Sequence, residues 1–241
     1  MKFNVALCQI SPVIADLEKN LAKHLDFIEK ARARGADLAL FPELSLTGYL
    51  LRDAVHEVAL RLDDSKLDPL KEASRDISIA FGMVEESEDY LFYNSAIYLE
   101  KGQIVGSHRK VYLLTYGMFE EGRFFAPGNK VRAFDTRIGR MGMLICYDMW
   151  HAPMPLILAH DGALVILALS ASPTRGIGTE EVADNTRVWE LLNRFYAKTQ
   201  GLYVVFSNLA GFEDGINFWG APKWWNPGGN TSPGPNTTKK I

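Results

Sequence analysis

Short apolar runs alternate with longer stretches of helical spacing along most of the 241 residues. The runs predict β-strands at residues 3–10, 38–41, 78–85, 91–100, 103–107, 132–136, 141–146, 163–170 and 202–208. Apolar residues recurring every three or four positions predict helices around residues 17–28, 67–77, 153–160 and 181–199. Helices between strands favour a layered α/β protein, and the turns at 85–89 and 101–102 argue against a purely parallel sheet.

Composition excludes several classes of protein. With 47% hydrophobic and 23% charged residues, the chain has enough apolar content for one large domain with a substantial core. A net charge of −3, with both signs scattered, favours no nucleic-acid partner. No apolar run approaches the length that spans a bilayer, and the N-terminal stretch lacks the features of a signal peptide. We expect no membrane contact.

Cys8 lies within the predicted strand at 3–10 and Cys146 ends an apolar run, and two cysteines so placed make a poor disulfide framework. This favours a reducing compartment, and we expect a cytoplasmic protein. Cys146 is followed by polar and aromatic residues, which is typical of a strand that delivers a side chain to the rim of a sheet. A thiol in that position acts as a nucleophile if a base removes its proton.

Three charged residues follow or adjoin other apolar segments and suit such a thiol. Glu43 is a candidate proton acceptor, Lys110 a candidate stabiliser of a tetrahedral oxyanion, and Glu121 a second carboxylate near the ammonium. The backbone N–H of Tyr147 is a further candidate donor to the oxyanion. Each residue also has a plain structural interpretation: Cys146 as core, Glu43 as a helix cap, and Lys110 and Glu121 as solvated charges.

A cysteine–histidine pair is an alternative, with His108 or His151 as the base. A non-catalytic protein that binds a small ligand or a partner is a second alternative. No metal-ligand spacing and no phosphate-binding glycine loop occurs in the sequence, so we expect neither a metal nor a cofactor.

The segments around Glu43, Lys110 and Cys146 resemble the motifs of the nitrilase, or carbon–nitrogen hydrolase, superfamily. The matching segments are Phe-Pro-Glu-Leu-Ser-Leu-Thr-Gly-Tyr at 41–49, His-Arg-Lys-Val-Tyr-Leu at 108–113 and Gly-Met-Leu-Ile-Cys-Tyr-Asp at 142–148. Their order and spacing agree with the family, and further matches lie at 121–128, 170–173 and 204–220. The likeness covers residues 3–220.

The resemblance implies a four-layer α-β-β-α sandwich with mixed sheets and hydrolysis of amide-type C–N bonds through a cysteine thioester. It implies that Cys146 attacks, Glu43 acts as general base and acid, Lys110 stabilises the oxyanion and Glu121 helps to position the substrate. It also implies a homodimer formed through helices flanking the cysteine region, and no cofactor.

Within the superfamily, residues 47–49 and 116–121 look closest to the glutaminase part of glutamine-dependent NAD synthetase. These 241 residues include no ATP-using synthetase part, so we do not assign that activity. The expected substrate is a small linear amide or N-carbamoyl compound. In the superfamily, nitrile hydrolysis uses the same three residues as amide hydrolysis, here Glu43, Lys110 and Cys146, and it stays an alternative. Candidate substrate-pocket residues are Tyr49, Tyr112, Tyr116, Tyr147, Trp150 and Ser172.

The C-terminal segment departs from the family pattern. We predict a catalytic domain over residues 1–220 and an irregular tail over residues 221–241, which are rich in Gly, Asn, Pro and Thr. If one G is restored after the codon of Trp219, suitable codons for the tail read Gly-Gly-Ser-Lys-Val-Val-Glu-Pro-Gly-Gly in the shifted frame. Our hypothesis is that a single-base loss replaced the native C-terminus. Sequencing the coding DNA tests it.

Overall fold

The computed structural model describes residues 3–174 and 184–231. The first sheet has the order β1-β2-β3-β4-β5, and its strands are β1 (Val5–Leu7), β2 (Leu38–Leu40), β3 (Ser78–Glu86), β4 (Phe92–Glu100) and β5 (Gln103–Arg109). The first three strands are parallel, and β4 and β5 continue the sheet as an antiparallel meander.

The second sheet has the order β12-β9-β8-β7-β6, and its strands are β6 (Phe134–Thr136), β7 (Gly139–Ile145), β8 (Val165–Ser170), β9 (Tyr203–Asn208) and β12 (Lys223–Trp225). The central strands β7, β8 and β9 are parallel, and the two edge strands are antiparallel to their neighbours. A separate hairpin joins β10 (Ala210–Glu213) to β11 (Ile216–Trp219).

The α-helices are α1 (Leu17–Ala33), α2 (Val55–Val58), α3 (Asp68–Ala73), α4 (Glu121–Phe124), α5 (Pro153–His160) and α6 (Asp184–Gln200). Short 3-10 helices occur at Arg52–Ala54, Ser65–Leu67 and Cys146–Trp150. In residues 3–174 and 184–231, no helix combines the length and the apolar content that crossing a lipid bilayer requires.

Successive side chains of a strand point to opposite faces of its sheet, and this explains how the layers pack. In β2, Leu38 and Leu40 pack against apolar residues of the second sheet, whereas Ala39 packs with the cluster that contains Ile28 of α1 and Leu70 of α3. The outer face of the second sheet is covered by α5 and α6. The predicted α-β-β-α sandwich with mixed sheets is confirmed.

The segment after Gly220 differs from the sequence prediction. Lys223–Trp225 form β12, which pairs with β9, and Trp225 is buried in the core between the layers. The prediction of an irregular tail is therefore wrong for these three residues, because two aromatic side chains suit a half-buried edge strand. Residues 232–241 lie outside the described residues, and the domain boundary at 220 stays a prediction.

Candidate active site

The three candidate residues follow strands that end close together. Glu43 comes three residues after β2, Lys110 directly after β5, and Cys146 directly after β7. Cys146 has a left-handed backbone with φ of 44°, so the chain turns sharply at the point where the strand gives way to the 3-10 helix. A cysteine in this region of φ is strained, and such strain is typical of functional sites.

Close backbone contacts hold the segments of Glu43 and Lys110. A Cβ at Gly82 of β3 would lie only 2.2 Å from the backbone N of Leu44, so the glycine lets the turn after Glu43 approach the sheet. On the lysine side, Gly128 donates its N–H to the carbonyl of Lys110 at 2.7 Å. A Cβ at Gly128 would lie 2.2 Å from the carbonyl oxygen of Arg109, which excludes larger residues there.

One ammonium joins two buried carboxylates. Lys110 Nζ lies 2.7 Å from Glu43 Oε1 and 2.7 Å from Glu121 Oε1. Each carboxylate accepts two further hydrogen bonds. Glu43 accepts from Asn94 Nδ2 (2.7 Å) and the Ala171 N–H (2.7 Å). Glu121 accepts from Tyr49 OH (2.6 Å) and the Leu114 N–H (2.9 Å). Because Glu43 and Lys110 are fully buried, their charges act in a low-dielectric environment.

The thiol of Cys146 is connected to this cluster through neighbouring residues. Ser170 Oγ donates to Cys146 Sγ at 3.4 Å, and Ala171, the next residue, donates to Glu43 Oε2. Burial raises the pKa of the Cys146 thiol, and the negative charge of Glu43 raises it further; Lys110 and Ser170 act in the opposite direction. The resting sulfur is therefore protonated, and it needs a base to become a nucleophile.

Glu43 is suited to that role. Burial raises the pKa of its carboxyl group, and the charge of Glu121 adds to the rise, although Lys110 opposes it. Burial alone would lower the pKa of Lys110, but Glu121 and Glu43 outweigh this effect and hold it above its ordinary value. The site thus contains a permanent cation beside a carboxylate of increased basicity.

A small cavity of about 60 Å³ opens at the thiol. Its lining residues are Leu114, Tyr116, Phe119, Cys146, Tyr147, Trp150, Ala171, Ser172, Pro173, Asn185 and Trp189. Four of the six candidate pocket residues, Tyr116, Tyr147, Trp150 and Ser172, therefore lie around Cys146. Ser172 is held firmly, since its hydroxyl accepts from Trp189 Nε1 at 3.0 Å and from Asn185 Nδ2 at 3.2 Å.

The structure places the other two candidates elsewhere. Tyr49 donates to Glu121 and lines a larger neighbouring cavity of about 440 Å³ rather than the one at the thiol. Tyr112 does not line either cavity; its ring stacks on His151 with centroids 3.5 Å apart.

Among the described residues, neither His108 nor His151, the two alternative bases, is hydrogen-bonded to the thiol. His108 Nε2 lies 2.8 Å from Asp148 Oδ2, and His151 Nε2 is buried without a partner among the described residues. Burial lowers the pKa of His151. Within residues 3–174 and 184–231, no group of three His, Cys, Asp or Glu side chains is arranged to hold a metal ion.

Sequence reasoning missed four residues that complete the site: Asn94, Ser170, Asn185 and Trp189. The first two bond to Glu43 and Cys146, and the last two support Ser172. Ser170 stands at the end of an apolar run, as Cys146 does, and this shared sequence pattern would have identified it as a candidate site residue. Asn94 offers no such pattern, because its position depends on the pairing of β3 with β4.

Comparison with known proteins identifies the class. The carbon–nitrogen hydrolase family model matches residues 4–240. The chain therefore belongs to the carbon–nitrogen hydrolase family. It is 32% identical over 221 residues to a glutamine-dependent NAD(+) synthetase of Acinetobacter baylyi, and the aligned region covers 91% of this chain and 39% of that protein. It is 34% identical over 168 residues to a nitrilase of Pyrococcus abyssi, covering 67% of this chain and 62% of that one.

Solved structures agree with this assignment. The glutamine-dependent NAD+ synthetase of Acinetobacter baumannii superposes with a TM-score of 0.85 at 30% identity, covering all of this chain and 44% of that one. An amidase named NitN superposes with a TM-score of 0.84 at 25% identity, covering 99% of this chain and 90% of that chain. The chain spans 30–39% of the length of the first three curated relatives, all glutamine-dependent NAD(+) synthetases.

Proposed function

We propose that this carbon–nitrogen hydrolase cleaves a small linear amide or N-carbamoyl compound through a thioester on Cys146. The observation that carries the proposal is the small cavity at a thiol whose neighbours are a basic carboxylate and a fixed cation. A cavity of about 60 Å³ has room for roughly four water-sized groups, which favours a short acyl part.

The proposed reaction proceeds in two halves. Glu43 takes the thiol proton while Cys146 Sγ bonds to the amide carbon, and Lys110 and the Tyr147 N–H stabilise the resulting oxyanion. Glu43 then gives its proton to the nitrogen, the C–N bond breaks, and ammonia or an amine leaves a thioester. Water attacks the thioester with Glu43 as base, and the proton returns to the sulfur as the acid departs.

A nitrile is the second candidate substrate, and the nitrilase of Pyrococcus abyssi among the relatives favours it. A nitrile carbon accepts the same sulfur attack but gives a thioimidate first. Glutamine belongs in the amide group to be tested, because several relatives are glutamine-dependent enzymes.

Intact-protein mass spectrometry after rapid mixing tests the proposal. The protein is mixed with glutamine, short aliphatic amides, dicarboxylic acid monoamides, N-carbamoyl amino acids and nitriles. We expect the protein to gain the mass of one acyl group and to release ammonia, and proteolytic digestion should place the adduct on the peptide that contains Cys146. The Cys8→Ala variant should form the same adduct. Turnover that survives Cys146→Ala refutes the mechanism, and absence of both turnover and adduct favours a binding protein of the same fold.

We also propose that the protein is a cytoplasmic homodimer. Both cysteines are free, which agrees with a reducing compartment. Large apolar side chains on α5 and α6 are exposed, at Leu156, Ile157, Leu191 and Phe195. A second copy packed on these helices would cover them. Analytical ultracentrifugation measures the oligomeric state, and a monomer at micromolar concentration contradicts the dimer.

A further inference from the structure

Asp148 is a fully buried carboxylate that no step of the proposed reaction uses. It lies two residues after Cys146 in the 3-10 helix, and it does not line the cavity at the thiol. Its two oxygens accept four N–H groups: Oδ1 from the backbones of Val111 (3.1 Å) and Tyr112 (2.9 Å), and Oδ2 from His108 Nε2 (2.8 Å) and the backbone of Ile145 (3.1 Å).

The four donors lie on both sides of the site. His108, Val111 and Tyr112 flank Lys110, and Ile145 directly precedes Cys146. In the described part of the chain, every hydrogen bond that joins residues 108–112 to residues 145–151 ends on Asp148. Among the ring contacts of the described residues, the stacking of Tyr112 on His151 is the one that joins these segments.

A single carboxylate thus connects the lysine segment to the cysteine turn. Hydrogen bonds to an ionised acceptor are shorter and stronger than those between neutral groups, so this connection is stiff. The turn needs such support, because Cys146 is held in the left-handed region and relaxes unless its surroundings fix it. On the opposite side, Lys110 is fixed by its backbone N–H, which donates to Asn94 O at 2.8 Å.

We propose that Asp148 is a positioning residue that fixes the Lys110 ammonium relative to the Cys146 sulfur and so sets the reactivity of the thiol without touching the substrate. The inference rests on the proposed roles of these two residues. A shift of about 1 Å between reacting groups costs roughly 10²-fold in rate, so a clamp at this point controls catalysis.

The Asp148→Asn variant tests the clamp with almost no change of side-chain size. Its amide nitrogen would face N–H donors, so two of the four bonds are lost. Glu100→Gln is the matched control: this carboxylate is also buried and accepts from Ser78 Oγ (3.0 Å) and the Arg137 N–H (3.1 Å), but it ends β4 away from the site. Both variants are made in a Cys8→Ala background and compared by thermal unfolding.

The decisive readout is the pH dependence of Cys146 alkylation by iodoacetamide. The charged or titratable groups that act on the thiol are Glu43, Lys110, Glu121 and Tyr49, of which Lys110 is the cation that favours the thiolate. If the clamp opens, the thiolate loses part of that stabilisation. We expect Asp148→Asn to react at least about tenfold more slowly at pH 8 and its profile to move to higher pH.

The control should lose thermal stability but keep the alkylation profile of the parent. His108→Gln, which leaves the three backbone donors in place, should shift the profile in the same direction by a smaller amount, and it decides the question if Asp148→Asn does not fold. If the alkylation profile of Asp148→Asn or of His108→Gln superposes on that of Glu100→Gln, the proposal is wrong. Because alkylation needs no amide substrate, this result is independent of whether the proposed hydrolysis is found.

Discussion

Two buried thiols in this molecule occupy similar positions but differ in their surroundings. Cys8 directly follows β1 and Cys146 directly follows β7, and each strand is part of a parallel set. Burial raises the pKa of Cys8 to about 12, and it also raises that of Cys146. An increased pKa therefore does not distinguish the proposed nucleophile, Cys146, from Cys8.

The two thiols differ in the groups that surround the sulfur. Cys8 Sγ lies 3.6 Å from the carbonyl of Ala6, and no ionisable group contributes to its pKa shift. Cys146 has a carboxylate, a cation and a hydroxyl donor around it, and its backbone is strained. The comparison indicates that burial makes a thiol inert unless charged groups are buried with it.

The largest expected effect separates the two cysteines directly. Cys146→Ala should lower kcat by on the order of 10⁴-fold or more, because the nucleophile is lost. Cys8→Ala should stay within about twofold of the parent, with only a modest loss of stability. Ammonia release from the substrate found by mass spectrometry is the assay. Equal effects of the two substitutions would show that the contrast between these thiols has no catalytic meaning.

The next effect concerns Glu43, the proposed base for Cys146, because no carboxylate acts on the pKa of Cys8. Glu43→Gln should lower kcat by about 10²–10⁴-fold. Because the pKa of Glu43 is raised above 4.5 and the ionised form is the base, kcat/KM of the parent should increase with pH through that raised pKa. This acid limb should disappear in the variant, which a pH profile of kcat/KM measures.

The alternative base gives the opposite result. If His108 or His151 accepts the thiol proton, His108→Ala or His151→Ala should lower kcat as much as Glu43→Gln does. The acid limb should then survive in the glutamine variant. The absence of a hydrogen bond from either ring to the thiol in the described residues leads us to expect smaller effects from both.

The sequence predicts the position of the catalytic candidates well, because local patterns determine it. Apolar runs that stop at Cys146 and shortly before Glu43 mark strand ends, and these ends meet at one edge of the sandwich. The helix α5 begins and ends where predicted, since Pro153 favours a first turn and Gly162 follows its end.

The remaining features depend on contacts far apart in the chain. Asn94 reaches Glu43 across 51 positions, through a register that strand pairing alone sets. Tyr49 bonds to Glu121, 72 positions away, and lines the larger cavity instead of the one at the thiol. The helix α4 and the hairpin β10–β11 were not predicted, because four residues are too few to show a helical period and neither strand of the hairpin is a continuous apolar run.

The smallest expected effect tests the hydroxyl donor of Cys146. Ser170→Ala removes the bond to Sγ, and a hydrogen bond worth about 1 kcal/mol corresponds to roughly a fivefold loss of thiolate. Alkylation of Cys146 at pH 8 should slow by about that factor. Ser207→Ala is a matched control, because Ser207 is equally buried on the neighbouring strand β9 and its hydroxyl has no partner among the described residues. If both variants alkylate at the same rate, Ser170 contributes only packing, and the contrast with Cys8 depends on charged neighbours alone.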